Sequence, residues 1–180
     1  MFKKIVLVLI SLALISPATP VQATSHAKSL SNLGANDIMF AQLMIPHHQQ
    51  AIDMSNTALR NAAGSEVKAL ARAIISAQKK EILQMKYWLT ATKSPTAMAH
   101  DMGMNGMLDS SEMKTLGSLK GKNFDRFYLE AMIKHHLGAL EMVSYLKATK
   151  NSEAKKLEKD IKSAQSGEIS KMKRMLSKLG

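Results

Sequence analysis

The sequence contains no cysteine. That excludes disulfide staples, thiolate ligands and a lipid-bearing cysteine, and it suits an exported chain that meets an oxidising compartment with no thiol to protect. Aromatic residues make up only 4%, with a single Trp, so the core must be filled by aliphatic and thioether side chains. Acidic residues are the minority, 14 Asp and Glu against 25 Lys and Arg. They do not gather into the carboxylate cluster that a hard cation such as calcium or magnesium requires. A membrane-length apolar segment is also missing: the run from Ile5 to Ile15, broken only by Ser11, spans eleven residues, too few to cross a bilayer.

That short run reads instead as an export signal. Lys3 and Lys4 precede it, Pro17 and Pro20 end it, and Val21-Gln22-Ala23 offers a small-x-Ala cleavage pattern, the tripartite layout of a secretory signal peptide. Residues 1–23 are expected to be removed, leaving a domain of residues 24–180 in the periplasm or outside the cell, with no membrane anchor. The remaining chain has 23 basic and 14 acidic residues, a formal charge of +9. Its lysines are spread along helical outer faces rather than interleaved with aromatics, which indicates a solvated basic surface and no nucleic-acid partner. With 180 residues and 46% hydrophobic content, one core and one domain suffice.

What is abundant is methionine, 14 residues, and it is not scattered. Phe40, Met44, His47, Ala51 and Met54 fall on one stripe at ~100° per residue, with His48 beside them and Asp37 a turn earlier. The spelling returns 88 positions on: Tyr128, Met132, His135, His136, Ala139 and Met142, with Asp125 in front. A second pattern, offset by 87, pairs Leu70, Ile74, Ala77, Glu81, Met85 and Trp88 with Leu157, Ile161, Ala164, Glu168, Met172 and Met175. Gln78 likewise matches Gln165. The unit is a helical hairpin written twice, over 36–93 and 123–180, joined by a Met-rich crossover at 94–122.

Boundaries follow from the punctuation. Gly34 precedes the first helix, and Gly64 is placed to end it in the left-handed conformation. Ser65-Glu66 reopens the second helix with a cap hydroxyl and an acidic first turn. Asp109-Ser-Ser-Glu112 has capping-box spacing and starts a short helix to about Leu119, and the third long helix runs from about Asn123 to about Lys150. Residues 98–107, with Gly103 and Gly106 and no apolar period, form a mobile loop. Pro46 is either a tolerated kink or a device that re-aims His47 and His48. Two short turns and one long crossover define an all-α, ferritin-like four-helix bundle.

The chemistry lies on the inner stripes. Buried imidazoles need partners, and Glu81, Glu168, Gln78 and Gln165 on the facing helices are available. Three readings stand open: a His–Glu hydrogen bond that orients a metal-ligating ring, a glutamate that is itself a ligand, or structural pairing alone. In the crossover, Met98, His100, Met102, Met104 and Met107 alternate with small or polar residues, so helix packing does not account for them. Thioether and imidazole donors select soft or borderline ions, Cu(I) and its analogue Ag(I) first, with Cu(II) held through imidazoles. Met85 and Met172, one turn beyond the glutamates, complete the candidate set.

The pattern Phe-x3-Met-Ile-Pro-His-His-Gln-x-Ala-Ile-x-Met at 40–54, Glu-Ile-x2-Met at 81–85 and Met-Ile-x-His-His-x-Gly-Ala at 132–139 resembles the bacterial family called domain of unknown function 305. The resemblance implies a ferritin-like bundle in the cell envelope and, as in some members, periplasmic copper binding in copper resistance. The family's copper-associated positions fall on Met44, His47, His48, Met54, Met132, His135, His136 and Met142. The function expected is therefore sequestration or delivery of copper without turnover, to or from an exporter or acceptor protein. One rival is a di-iron or di-manganese oxidase, but that site needs Glu-x-x-His on two helices, and Met44 and Met132 stand at the glutamate positions. A b-type haem with Met and His axial ligands is a second, and a structural or adhesion module whose histidines are incidental is a third.

Overall fold

In the computed structural model, residues 30, 32–96 and 104–180 are described. The expected signal peptide and Met98, His100 and Met102 lie outside them. The described residues form five α-helices and one 3-10 turn: α1 Ala35–Asn61, α2 Ser65–Ala91, α3 Ser110–Ser118, α4 Gly121–Met142, the turn Val143–Leu146, and α5 Ser152–Lys178. The protein is an all-α bundle, as the 3.6-residue periodicity dictates.

Directions follow from the cross-helix contacts. His48 on α1 meets Glu81 on α2, and the short turn between them makes the first hairpin. His47 stacks on His135, Ser55 bonds Tyr128 and Asn61 bonds Lys120, so α1 and α4 run antiparallel. Trp88 near the end of α2 donates from Nε1 to Glu153 at the start of α5, 3.1 Å away, and α2 and α5 are antiparallel too. α2 and α4 therefore point the same way. The chain has to travel back along the bundle between them, which is why the crossover is long and carries a helix of its own.

Several boundaries differ from expectation for identifiable reasons. Gly64 is not left-handed: at φ −74° and ψ 127° it is the N-cap of α2, so Ser65 is helical and its hydroxyl caps nothing. Asp125 explains the change. Its carboxylate reaches across from α4 to accept the amides of Ala63 at 3.1 Å and Gly64 at 2.8 Å, which fixes the turn from outside. Helix α4 ends at Met142 rather than near Lys150, tightening into the 3-10 turn that buries Val143 and Leu146. Pro46 lies on the exposed side of α1, and the helix continues through it. The α3 prediction holds, with Asp109 and Glu112 in a reciprocal capping box.

The apolar interior divides into two clusters. One contains Met44, Met85, Met142, Phe40 and Trp88, and the other Met54, Met132, Met172, Tyr128 and Phe124. The repeat exchanges them: Met44, Met54 and Met85 correspond in sequence to Met132, Met142 and Met172. The histidines sit where the two clusters meet.

Candidate metal centre

Each helix contributes a consecutive His pair, so the two rings diverge by ~100°. The inner member of each pair faces the other hairpin, and the outer member faces its own. Thus His47 and His135 meet across the α1–α4 seam with ring centroids 3.8 Å apart and planes tilted 39°. His48 Nε2 lies 2.6 Å from Glu81 Oε2 on α2, and His136 Nε2 lies 2.7 Å from Glu168 Oε2 on α5. All four imidazoles are buried, and the two glutamates keep a small solvent-exposed edge.

This geometry sets the protonation of the inner pair. Burial, reinforced by His48, lowers the pKa of His47 from 6.5 to about 3. Burial also holds His135 well below its ordinary value, with His47 the next contributor. Two cationic rings at 3.8 Å would repel, so both are neutral at neutral pH.

A tautomer assignment follows from the partners. Glu81 and Glu168 accept from Nε2–H of His48 and His136, and the Asn105 carbonyl accepts from Nε2–H of His47 at 3.3 Å. In the neutral form of those three rings each Nδ1 then carries a lone pair. Among the described residues none of the three has a hydrogen-bond partner, and neither nitrogen of His135 has one. The centre therefore presents four buried imidazole lone pairs with no donor to satisfy them. Left unmet, each such group costs about 1–3 kcal/mol. Among the described residues, no three His, Asp or Glu side chains stand together as a ready-made cage. A cation bound here would draw on sulfur as well as nitrogen.

Sulfur is in place on both sides. Met44, Met54, Met85, Met132, Met142 and Met172 are all buried. The fold does not group them by repeat, though. Met44 and Met54 stand ten residues apart on one continuous helix, about 15 Å, too far to share an ion. Met44, Met85 and Met142 belong to one apolar cluster and Met54, Met132 and Met172 to the other, so the methionines of each cluster come from both hairpins. Of the crossover residues, Met104 packs against the first of these clusters, and Met107 is half-buried.

The crossover end is not the free loop its glycines suggest. Leu108 is buried, and its amide and carbonyl are both clamped by the Gln50 side chain at 2.7 and 2.8 Å. Asn105 Nδ2 donates to Glu141 at 2.7 Å. Sequence reading also placed Ala77 and Ala164 on the buried stripe, whereas the buried positions are Gln78 and Gln165. Both are buried, and among the described residues Gln78 Oε1 and Nε2 and Gln165 Oε1 have no hydrogen-bond partner. The repeat match between the two glutamines was the available signal.

Fold and site together define a class: an all-α bundle of two related hairpins, with four buried imidazoles flanked along their helices by buried methionines. The chain belongs to the DUF305 family, the domain of unknown function whose family model matches residues 37–176. Among solved structures, a DUF305 protein from Streptomyces coelicolor is 33% identical, with a TM-score of 0.76 over 81% of this chain and 92% of that one. CopM in its Cu(I)-bound form is 39% identical, with a TM-score of 0.68 over 79% of this chain and 96% of the other. Its Cu(II)-bound form is 39% identical, with a TM-score of 0.70 over 80% and 97%, and CopM has also been solved with silver. No curated protein sequence matches the chain.

Proposed function

We propose that this protein binds copper in the periplasm or outside the cell, sequestering or handing it over without catalytic turnover. Cu(I), with Ag(I) as its analogue, is taken by thioether and imidazole together, and Cu(II) by imidazole. The observation that carries the reading is the set of four buried imidazoles with unpartnered ring nitrogens, among buried methionines drawn from both hairpins. A soft cation answers such a set, whereas a hard ion gains little from sulfur. CopM, 39% identical, has been solved with Cu(I), Cu(II) and silver, which supports the same cargo here.

In this scheme His48 and His136 bind through Nδ1, and Glu81 and Glu168 act on the far nitrogen, fixing tautomer and ring orientation. The N-terminal export pattern supports the compartment. Among the described residues no helix is long and apolar enough to cross a membrane. Elemental analysis of the exported protein after growth with copper, with titration under reducing conditions, tests the reading. Copper content with magnesium failing to compete is the expected result, and iron or manganese without copper overturns it.

A further inference from the structure

We propose that residues Met104–Leu108 form a gate over the His47–His135 pair, with the Asn105 main-chain carbonyl as its latch. The inference rests on the copper reading above and adds the route by which the inner histidines are reached.

The Asn105 carbonyl does two things at once. It accepts the His47 Nε2 hydrogen bond at 3.3 Å, and it lies so close over α4 that a Cβ at Gly138 would meet its oxygen at 1.8 Å. Only glycine at 138 leaves room for it. The next residue, Gly106, has φ +86°, and a Cβ there would meet the Lys134 carbonyl at 2.5 Å, so the segment is seated in the α1–α4 groove by two glycines facing each other. One end is tied by Asn105 to Glu141, and the other by both polar groups of the Gln50 side chain to Leu108.

A ring nitrogen cannot donate to a carbonyl and ligate a cation together. While the latch is closed, His47 Nε2 is therefore closed to metal, and the ring offers only its inward Nδ1. Beside the latch is a cavity of about 270 Å³ lined by Met104, Met142, Asn105, Glu141, Leu43 and Tyr145, among others. Two thioethers and a carboxylate at the foot of the gate give an incoming soft cation a place to wait. Release of the segment then opens the seam to the inner pair.

The test uses the full mature chain and two variants outside the ligand set. Gln50→Ala removes both ties to Leu108, and Gly138→Ala evicts the Asn105 carbonyl. Hydrogen exchange at the Leu108 amide, read without metal, reports the gate. Stopped-flow transfer of Cu(I) from its bicinchoninate complex reports uptake. Loss of two hydrogen bonds predicts Leu108 exchange and Cu(I) uptake both about 10-fold faster in Gln50→Ala, with Gly138→Ala changing uptake in the same direction. Faster exchange with unchanged uptake overturns the gate, as does unchanged exchange in Gln50→Ala. Should the parent protein take no Cu(I), the copper reading fails instead, and the exchange result still shows separately whether the clamp exists.

Discussion

At 3.8 Å between ring centroids, His47 and His135 have no room for a positive charge, and this makes them the residues through which acidity acts on the fold. Their pKa values are depressed in the folded state, His47 to about 3 from 6.5 and His135 in the same direction. The unfolded chain therefore binds protons first as pH falls. Stability is full above about 6.5 and is withdrawn as pH drops toward about 3, by an amount on the order of a few kcal/mol at about 1.4 kcal/mol per unit. Metal-free denaturation midpoints measured between pH 7 and 4 should fall, and fall less in a His47→Leu/His135→Leu variant. Parallel curves for the two proteins would remove the histidines as the cause.

The outer pair makes a different prediction. Glu81→Gln and Glu168→Gln keep the side-chain shape and a carbonyl acceptor but weaken the hydrogen bond to Nε2 of His48 and His136. Affinity for Cu(I) should drop roughly 10-fold or more with the helical circular dichroism unchanged. Unchanged affinity with lowered stability would return both glutamates to a purely structural role. At this scale the sequence showed the histidines, the methionines and the glutamates, because an internal repeat that duplicates polar residues on an apolar stripe is visible without coordinates. It did not show Gln78 and Gln165 as the buried positions. A shift of one residue between neighbouring stripe positions is about 100°, and only the packed neighbours decide which of two adjacent residues turns inward.

Among the elements, the two hairpins are copies with unequal joints. Asp37 and Asp125 hold matching places, yet Asp125 accepts two turn amides from the other hairpin, while among the described residues Asp37 accepts only Gly34 of its own helix entrance, at 2.8 Å, and its other oxygen has no partner. Asp125→Ala should therefore destabilise the fold by about 1–3 kcal/mol, and Asp37→Ala by less. Urea denaturation of the two variants checks the order, and equal losses would contradict it. The same comparison shows why helix ends were harder to read than helices. Gly64 looked like a left-handed stop because that is what an isolated helix would want. Its conformation is set instead by a carboxylate more than sixty residues away. The anchored end of the crossover is a similar case: Gly106 signalled looseness by composition, whereas its lack of a side chain lets the segment pack closely on α4.

Over the whole molecule, the antiparallel α1–α4 seam turns two hairpin repeats into one centre. Because the helices run in opposite directions, the methionine before each His pair lies beside the methionine beyond the other pair, and the thioethers collect into two clusters that flank the imidazole layer. The repeat period and loop lengths made the bundle legible. The regrouping of methionines across hairpins was not legible, since it depends on which helices adjoin and in what direction. The central claim is that copper binds Nδ1 of His48 and His136, rings oriented for it by glutamate on Nε2. Nitrogen-15 NMR of histidine-labelled protein during titration with Cu(I) under reducing conditions tests it most directly. The account predicts that the first bound copper shifts the Nδ1 resonances of His48 and His136 while their Nε2 sites remain protonated. Stoichiometric copper binding that leaves both Nδ1 resonances in place would contradict it.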